Sequence, residues 1–204
     1  MPDFSFETGA TDQGYTAIAG VDEVGRGPLC GPVTAAAVIL DPDYIPDGLR
    51  DSKKITDRKR RFLYAQIMET ATVGVAHATV AEIDDINILQ ASHLAMIRAI
   101  ECLPTPADFA LIDGNRAPIN LRIPATCVVK GDDRSFSIAA ASIIAKITRD
   151  DLMLDLDAQY PGYGWAKNAG YPTKEHLVAL KSRGVTPHHR RSFRPVHNIL
   201  YQDE

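Results

Sequence analysis

Two acids stand side by side in a stretch that is otherwise apolar: Asp22 and Glu23, within Ile-Ala-Gly-Val-Asp-Glu-Val-Gly. Ionised carboxylates inside a buried strand are expensive unless they are paired or bound to metal. Neighbouring strand residues face opposite ways, so a site shared by both acids requires the strand to bend or end at Glu23. Asp113 repeats the pattern, closing the run Phe-Ala-Leu-Ile before a Gly-Asn turn. Asp132 follows the apolar Thr-Cys-Val-Val, in Lys-Gly-Asp-Asp-Arg-Ser. Taken singly, each acid also reads as a turn residue, and one of Asp132 and Asp133 as a helix N-cap. Three acidic positions at the ends of three strands point together to a divalent cation. Carboxylate oxygens suit Mg²⁺ or Mn²⁺, hard ions that keep water and recruit substrate phosphate.

The elements that must carry these acids alternate between strand and helix. Tyr15 to Val24 and Val33 to Leu40 read as buried strands joined by a tight, Gly/Pro-rich hairpin turn, GRGPLCGP. Asp57 to Thr70 has helical apolar spacing with Asp57 as N-cap, and Ala71 to Val80 is rich in β-branched residues and reads as a third strand. A helix is predicted over Asn87 to Leu103, stopped by Pro104 and Pro106. Phe109 to Asp113 and Thr126 to Val129 read as short strands in the middle of a sheet covered on both faces. Ser135 to Tyr160 is the longest predicted helix, Ala-rich in its first half. Thr173 to Arg183 is another, closed by Gly184. Residues 1–14 read as a flexible segment, 15–160 as one α/β catalytic domain, and 161–204 as a helical extension of the same unit.

Length and composition narrow the classes. At 204 residues with 45% hydrophobic content, the chain buries a full core and is neither disordered nor fibrous. Its apolar runs fall far short of the ~20 residues that cross a bilayer. The acidic N-terminus lacks the pattern of a secretory signal, so a cytoplasmic location is expected. Three scattered cysteines, Cys30, Cys102 and Cys127, offer no zinc framework. The net charge of −4 argues against a nucleic-acid partner until its distribution is considered. Asp51 to Arg61 carries six basic residues against two acidic. Pro161 to Leu200 carries seven against one, led into by Tyr160, Tyr163, Trp165 and Tyr171. Segregation of this kind makes basic faces on an acidic protein.

Familiar motifs fit poorly. The Gly20-to-Gly25 spacing resembles part of a P-loop, but Arg26-Gly27 stands where Lys-Ser/Thr is required; as a dinucleotide fingerprint, Gly25 to Gly31 has its last glycine late and a strand following. His176, His188 and His189 lie among basic residues that would repel a cation, so packing, capping or phosphate contact suits them better than zinc. Ser142 has no His-Asp partner in view and no role as a nucleophile.

The sequence does resemble one family closely: the bacterial ribonuclease HII, or type 2 ribonuclease H. The resemblance rests on AGVDEVGRGPLCGPVTAAAVIL (19–40), DSKK (51–54), LIDGN, VVKGDDRSFSIAAASIIAKITRD (128–150), GYPTKEH (170–176) and HRRSFRP (189–195), in family order over nearly all the chain. It implies a ribonuclease H-like α/β fold, a central mixed sheet flanked by helices with a helical C-terminal extension. It implies a metal-dependent endonuclease acting on RNA/DNA hybrids and on single ribonucleotides embedded in duplex DNA. The family's metal-binding carboxylates fall on Asp22, Glu23, Asp113 and Asp132, holding two divalent ions, Mg²⁺ or Mn²⁺. Its sensor of the ribose 2′-hydroxyl falls on Gly25, Arg26 and Gly27, and its sugar-stacking tyrosine on Tyr171. Lys53, Arg190, Arg191 and Arg194 are then expected against substrate phosphates. The chain departs from the family in having Ala169 where Lys is common before Gly-Tyr, and in doubling the fourth acid with Asp133. Two rival readings are a DNA-only nuclease of the same superfamily and a non-enzymatic nucleic-acid-binding module. Without an apolar interaction stripe, the chain is expected to be a monomer.

Overall fold

The computed structural model describes residues 1–201. Its strands are β1 (Ile18–Val24), β2 (Val33–Ile39), β3 (Thr72–Ala78), β4 (Phe109–Asp113) and β5 (Ala125–Val128). They form one sheet in the order β3-β2-β1-β4-β5, antiparallel from β3 to β1 and parallel from β1 to β5. The helices are α1 (Ser5–Thr11), α2 (Asp57–Thr70), α3 (Val80–Glu101), α4 (Phe136–Gln159), α5 (Trp165–Asn168), α6 (Lys174–Arg183) and α7 (Arg194–Tyr201). The expected mixed sheet, flanking helices and helical C-terminal region are all present. No helix among the described residues is long and apolar enough to cross a membrane.

Strand alternation sends side chains to two separate cores. Ala19, Val21, Ala35 and Ala37 pack against Ala91, Ala95 and Ala99 of α3. Ala36 and Val38, on the other face, meet Ala139, Ala140, Ile143 and Ile144 of α4 with Leu63 and Ile67 of α2. Each fully buried Leu or Ile contributes roughly 1.5–3 kcal/mol. The small residues matter because they let backbones approach. A Cβ on Gly20 of β1 would lie 2.1 Å from the carbonyl carbon of Ser137, at the start of α4.

Several local expectations are corrected. α2 is capped by Thr56, whose hydroxyl accepts from the Lys59 amide, and not by Asp57. The helix predicted from Asn87 is preceded by two further turns that Thr79 and Glu82 open as a capping box. Asn87 itself sits at φ 67°, and its side-chain oxygen accepts from the Leu89 and Gln90 amides, restarting the helix there. β5 is an edge strand, not a central one, and of its four residues only Val128 is buried. The connection from β1 to β2 is no tight hairpin but an eight-residue loop, residues 25–32, with Gly25 and Gly31 at positive φ. Residues 1–14, expected to be flexible, contain α1. Its Glu7 is buried and accepts from the Ser135 hydroxyl at 2.6 Å and the Ser137 amide at 2.9 Å. That carboxylate satisfies donors at the N-terminus of α4, where negative charge is favoured.

The C-terminal helices pack back on the β1–β2 loop. Cys30 shares a core with Met153, Leu156, Tyr163, Trp165 and Ala179, and Leu29 shares one with Leu180 and Val196.

Gly20→Ala is expected to destabilise the protein by at least ~1–3 kcal/mol, the cost of overpacking against backbone that cannot yield. Gly9→Ala, in α1 with open space around it, should stabilise by ~0.5–1 kcal/mol. Urea unfolding of both variants checks the pair, and similar midpoints would contradict the close approach of β1 to α4.

Candidate active site

The ladder between β1 and β4 ends at Val21 opposite Ile112. Asp22 and Asp113 are the next residues on each strand, at the carboxyl ends of two parallel strands where the sheet splits. Asp22 points to the α4 side and is 7% exposed. Glu23 faces the other way, lining a cleft of about 330 Å³ with Leu89, Ser92 and His93 of α3, Asp113 and Arg116. β1 does not end at Glu23, since pairing with β2 continues through Val24, and the two acids stay close enough for the charge of Glu23 to act on Asp22. Asp113 Oδ1 accepts from the Gly131 amide at 2.7 Å, joining the end of β4 to the turn that carries Asp132. Asp133 turns away to an ion pair with Lys54.

The electrostatics are those of acids crowded out of water. Burial, then the charges of Glu23, Asp113 and Asp132, push the Asp22 carboxyl well above the usual range. Burial also raises Glu23, against the pull of Arg26, and raises Asp113, against its amide hydrogen bonds. Asp132 is raised to about 6 by burial and by the charges of Asp51, Asp113 and Asp133. Asp51 is a buried neighbour that sequence reasoning left without a role, although it opens the DSKK motif. Glu23 Oε1 is 3.2 Å from the Arg26 guanidinium, while its Oε2 is buried with no partner. Among the described residues no three His, Cys, Asp or Glu side chains close into a ready-made cage. Mg²⁺ sites commonly use one or two carboxylates and leave the other positions to water and phosphate. An orphaned carboxylate oxygen among mutually repelling acids fits such an ion.

The loop after β1 places Arg26 in the cleft with Glu23 and Asp113. Gly27 and Tyr171 meet: a Cβ on Gly27 would lie 3.3 Å from Tyr171 Cε1. The Tyr171 ring stays 43% exposed, while its backbone is tied down. Its amide donates to Asn168 O, and its carbonyl accepts from His176 Nδ1 at 2.9 Å. His176 Nε2 in turn accepts from Trp165 Nε1. His176 and His189 are buried and hydrogen-bonded to each other, packing being one of the roles expected for the three histidines. Lys53 is exposed, and its charge acts on Asp113 and Asp132. The side chains of Arg191 and Arg194 are also exposed, and the Arg191 amide donates to Asp84. Arg190 is the clear correction. Expected against phosphate, it is 0% exposed, and all three of its guanidinium nitrogens donate to loop carbonyls. Sequence reasoning also passed over His93, in α3, and Arg116, in the turn just after Asp113, both of which line the cleft.

Residues 19–196 match the family model described as Ribonuclease HII. The chain belongs to the ribonuclease HII family. It is 63% identical to the ribonuclease HII of Ruegeria sp. over 99% of this chain and 88% of that one. It is 61% identical to that of Cereibacter sphaeroides, over 99% and 95%. Among solved structures it is similar to the ribonuclease H2 of Pyrococcus horikoshii, with TM-score 0.74 and 25% identity over 92% of this chain and 98% of that one. It also shares its fold with Bst-RNase HIII, solved in complex with Mn²⁺, at TM-score 0.72 and 21% identity over 92% and 70% of the two chains. The chain is therefore a nuclease.

For a ribonuclease HII the raised carboxylates carry a stability consequence. A carboxyl whose pKa rises on folding holds its proton more tightly in the folded state. The penalty of ionising it is absent at low pH and appears as pH climbs from its ordinary value toward the raised one. For Asp132 that window runs from 3.8 to about 6. His189, lowered to about 4 by burial, acts in the opposite sense as pH falls. Comparing two proteins that share His189 isolates the acids. In the absence of divalent ions, Asp22→Asn should melt several degrees above the parent at pH 7, and the gap should shrink toward pH 5. Calorimetry in a chelator tests this, and a variant that melts below the parent at pH 7 would contradict the crowding of these charges.

Proposed function

We propose that this chain is an endoribonuclease that hydrolyses the RNA strand of RNA/DNA hybrids and cuts on the 5′ side of single ribonucleotides in duplex DNA, leaving 3′-hydroxyl and 5′-phosphate ends. The observation that carries the reading is the contact of Gly27 with the Tyr171 ring, on the loop that follows Asp22 and Glu23. A ribose held against that ring has its 2′-position next to a backbone without side chains, and the 2′-hydroxyl is the group that separates RNA from DNA. A nuclease for DNA alone has no use for such a pairing. A binding module has no use for four crowded carboxylates, and the family assignment speaks against it.

Asp22, Glu23, Asp113 and Asp132 are the residues to hold two divalent ions, Mg²⁺ or Mn²⁺. When bound, such ions lower the pKa of an attacking water and neutralise the leaving oxygen of a phosphodiester. The chain's own contribution is placement. Tyr171 sets the sugar, the Gly25–Gly27 loop reads its 2′-position, and Lys53 with the exposed Arg191 and Arg194 bears on flanking phosphates. Arg26, paired with Glu23, holds one carboxylate oxygen and leaves the other free. The substrates are accordingly RNA/DNA hybrids and ribonucleotide-containing duplex DNA.

The deciding experiment uses a DNA duplex with one ribonucleotide beside an all-DNA duplex of the same sequence, with Mg²⁺ or Mn²⁺. The protein should cut only the first, and Asp113→Asn should cut neither; equal cutting of both duplexes sinks the reading. Tyr171→Ala should slow cleavage about 10–100-fold, the equivalent of ~1–3 kcal/mol of stacking, with a much smaller change in duplex affinity. An unchanged single-turnover rate would remove the tyrosine from the site. About three phosphate contacts, from Lys53, Arg191 and Arg194, would make binding roughly 40-fold weaker at ~200 than at ~50 mM salt, so affinity flat over that range would remove the basic residues from the interface.

A further inference from the structure

Two arginines are buried side by side beneath the loop that follows β1. Arg149 is 1% exposed and Arg190 0%. Neither takes part in an ion pair among the described residues. Their charge is met by backbone instead. Arg149 donates to the carbonyls of Pro32 at 3.2 Å, Cys30 at 3.2 Å and Ala169 at 3.0 Å. Arg190 donates to those of Gly31 at 3.0 Å, Arg26 at 3.0 Å and Gly25 at 2.6 Å. The Arg190 backbone adds a further tie, its amide donating to Leu29 O at 2.8 Å. A buried cation is normally paired with a carboxylate. A planar fork with five donors is the group able to hold several carbonyls at fixed angles.

The consequence follows from peptide geometry. Among the described residues every peptide bond is trans, so the N–H of each residue points opposite to the carbonyl before it. The carbonyls of Gly25 and Arg26 face Arg190, which turns the amides of Arg26 and Gly27 outward. Neither amide has an acceptor among the described residues, and both residues are exposed. Their N–H groups therefore form two successive donors beside the Tyr171 ring, a concavity suited to an oxygen atom. The guanidinium also polarises both peptide units through their carbonyls, strengthening the donors at the other end.

Building on the activity proposed above, we infer that Arg190 is a positioning residue for ribonucleotide recognition. By holding the Gly25 and Arg26 carbonyls inward, it presents the Arg26 and Gly27 amides as paired donors to an oxygen of the ribonucleotide sugar. It touches no substrate itself. Gly25 is fixed by the same arrangement: its φ of +96° is left-handed, and a Cβ there would lie 2.2 Å from Arg149 Nε.

Arg190→Lys keeps the charge but cannot fork to three carbonyls, and Arg190→Gln keeps donors without the charge. Three quantities are measured for each full-length variant that unfolds cooperatively: the single-turnover rate on a duplex with one ribonucleotide, the Kd for the all-DNA duplex, and the affinity for Mn²⁺ alone. Misplacing the loop should lower the first on the order of 100-fold. The other two should stay within about twofold, since Asp22, Asp113 and Asp132 and the exposed Lys53, Arg191 and Arg194 make no hydrogen bond to the loop carbonyls that Arg190 holds. An unchanged rate in a folded variant overturns the proposal. So does a loss shared equally with DNA affinity and Mn²⁺ affinity, or failure of both variants to fold, since each makes the guanidinium a general structural prop. Wild-type protein that fails to prefer the ribonucleotide duplex refutes the proposed activity itself, a result distinguishable from failure in the Arg190 variants alone.

Discussion

Carboxylates at Asp22, Glu23, Asp113 and Asp132 repel one another where little water screens them, and nothing in their own chemistry keeps them together. The scaffold must do so. The two parallel strands part immediately after Val21 and Ile112, so the acids that follow meet at the mouth of a split already held open by the sheet. Behind it, α4 lies so close to β1 that Gly20 has no room for a side chain. The turn leading into that helix carries Asp132, and a hydrogen bond from Gly131 fixes the turn to Asp113. The N-terminus of α4 is in turn steadied by Glu7, contributed by a helix from the beginning of the chain. Packing and hydrogen bonds thus oppose an electrostatic pressure that a divalent cation would relieve.

A second charged pole has the opposite sign. Arg149 and Arg190 lie beneath the loop, and each spends all its guanidinium nitrogens on carbonyls. Burial lowers the pKa of both, yet arginine is basic enough to stay charged at neutral pH. Anionic and cationic centres therefore face each other across a short loop, and they are joined at the surface by the pair between Arg26 and Glu23. The loop is held through its carbonyls, which the two guanidinium groups engage, while the Arg26 and Gly27 amides stay free among the described residues.

Much of this was legible in the sequence, for identifiable reasons. Acids inside apolar runs violate the rule for buried residues, so Asp22, Glu23 and Asp113 stand out without any structure. Alternating apolar periods located most of the strands and helices, and Gly184 and Thr173 bounded α6 as helix signals should. Other features depend on contacts distant in sequence and leave no local mark. Arg190 belongs to a basic cluster with exposed Arg191, and composition cannot distinguish the buried member from its neighbour. Glu7 reads as an ordinary surface acid until Ser135, 128 residues later, is beside it. The position of β5 at the edge is a matter of topology, which its own four residues do not encode. The left-handed Asn87 was legible only as a helix start, since the turns before it are capped by Thr79 independently.

The contact between Arg190 and Gly25 spans 165 positions of the chain. All four acids, by contrast, lie at or before residue 132. During synthesis the acid gap can therefore be complete while the loop beside it still lacks its anchor. A chain emerging from the ribosome carries all four acids before it carries the arginine that holds the loop. The order in which the polypeptide is made separates the two in time, and the loop's anchor is the last to arrive.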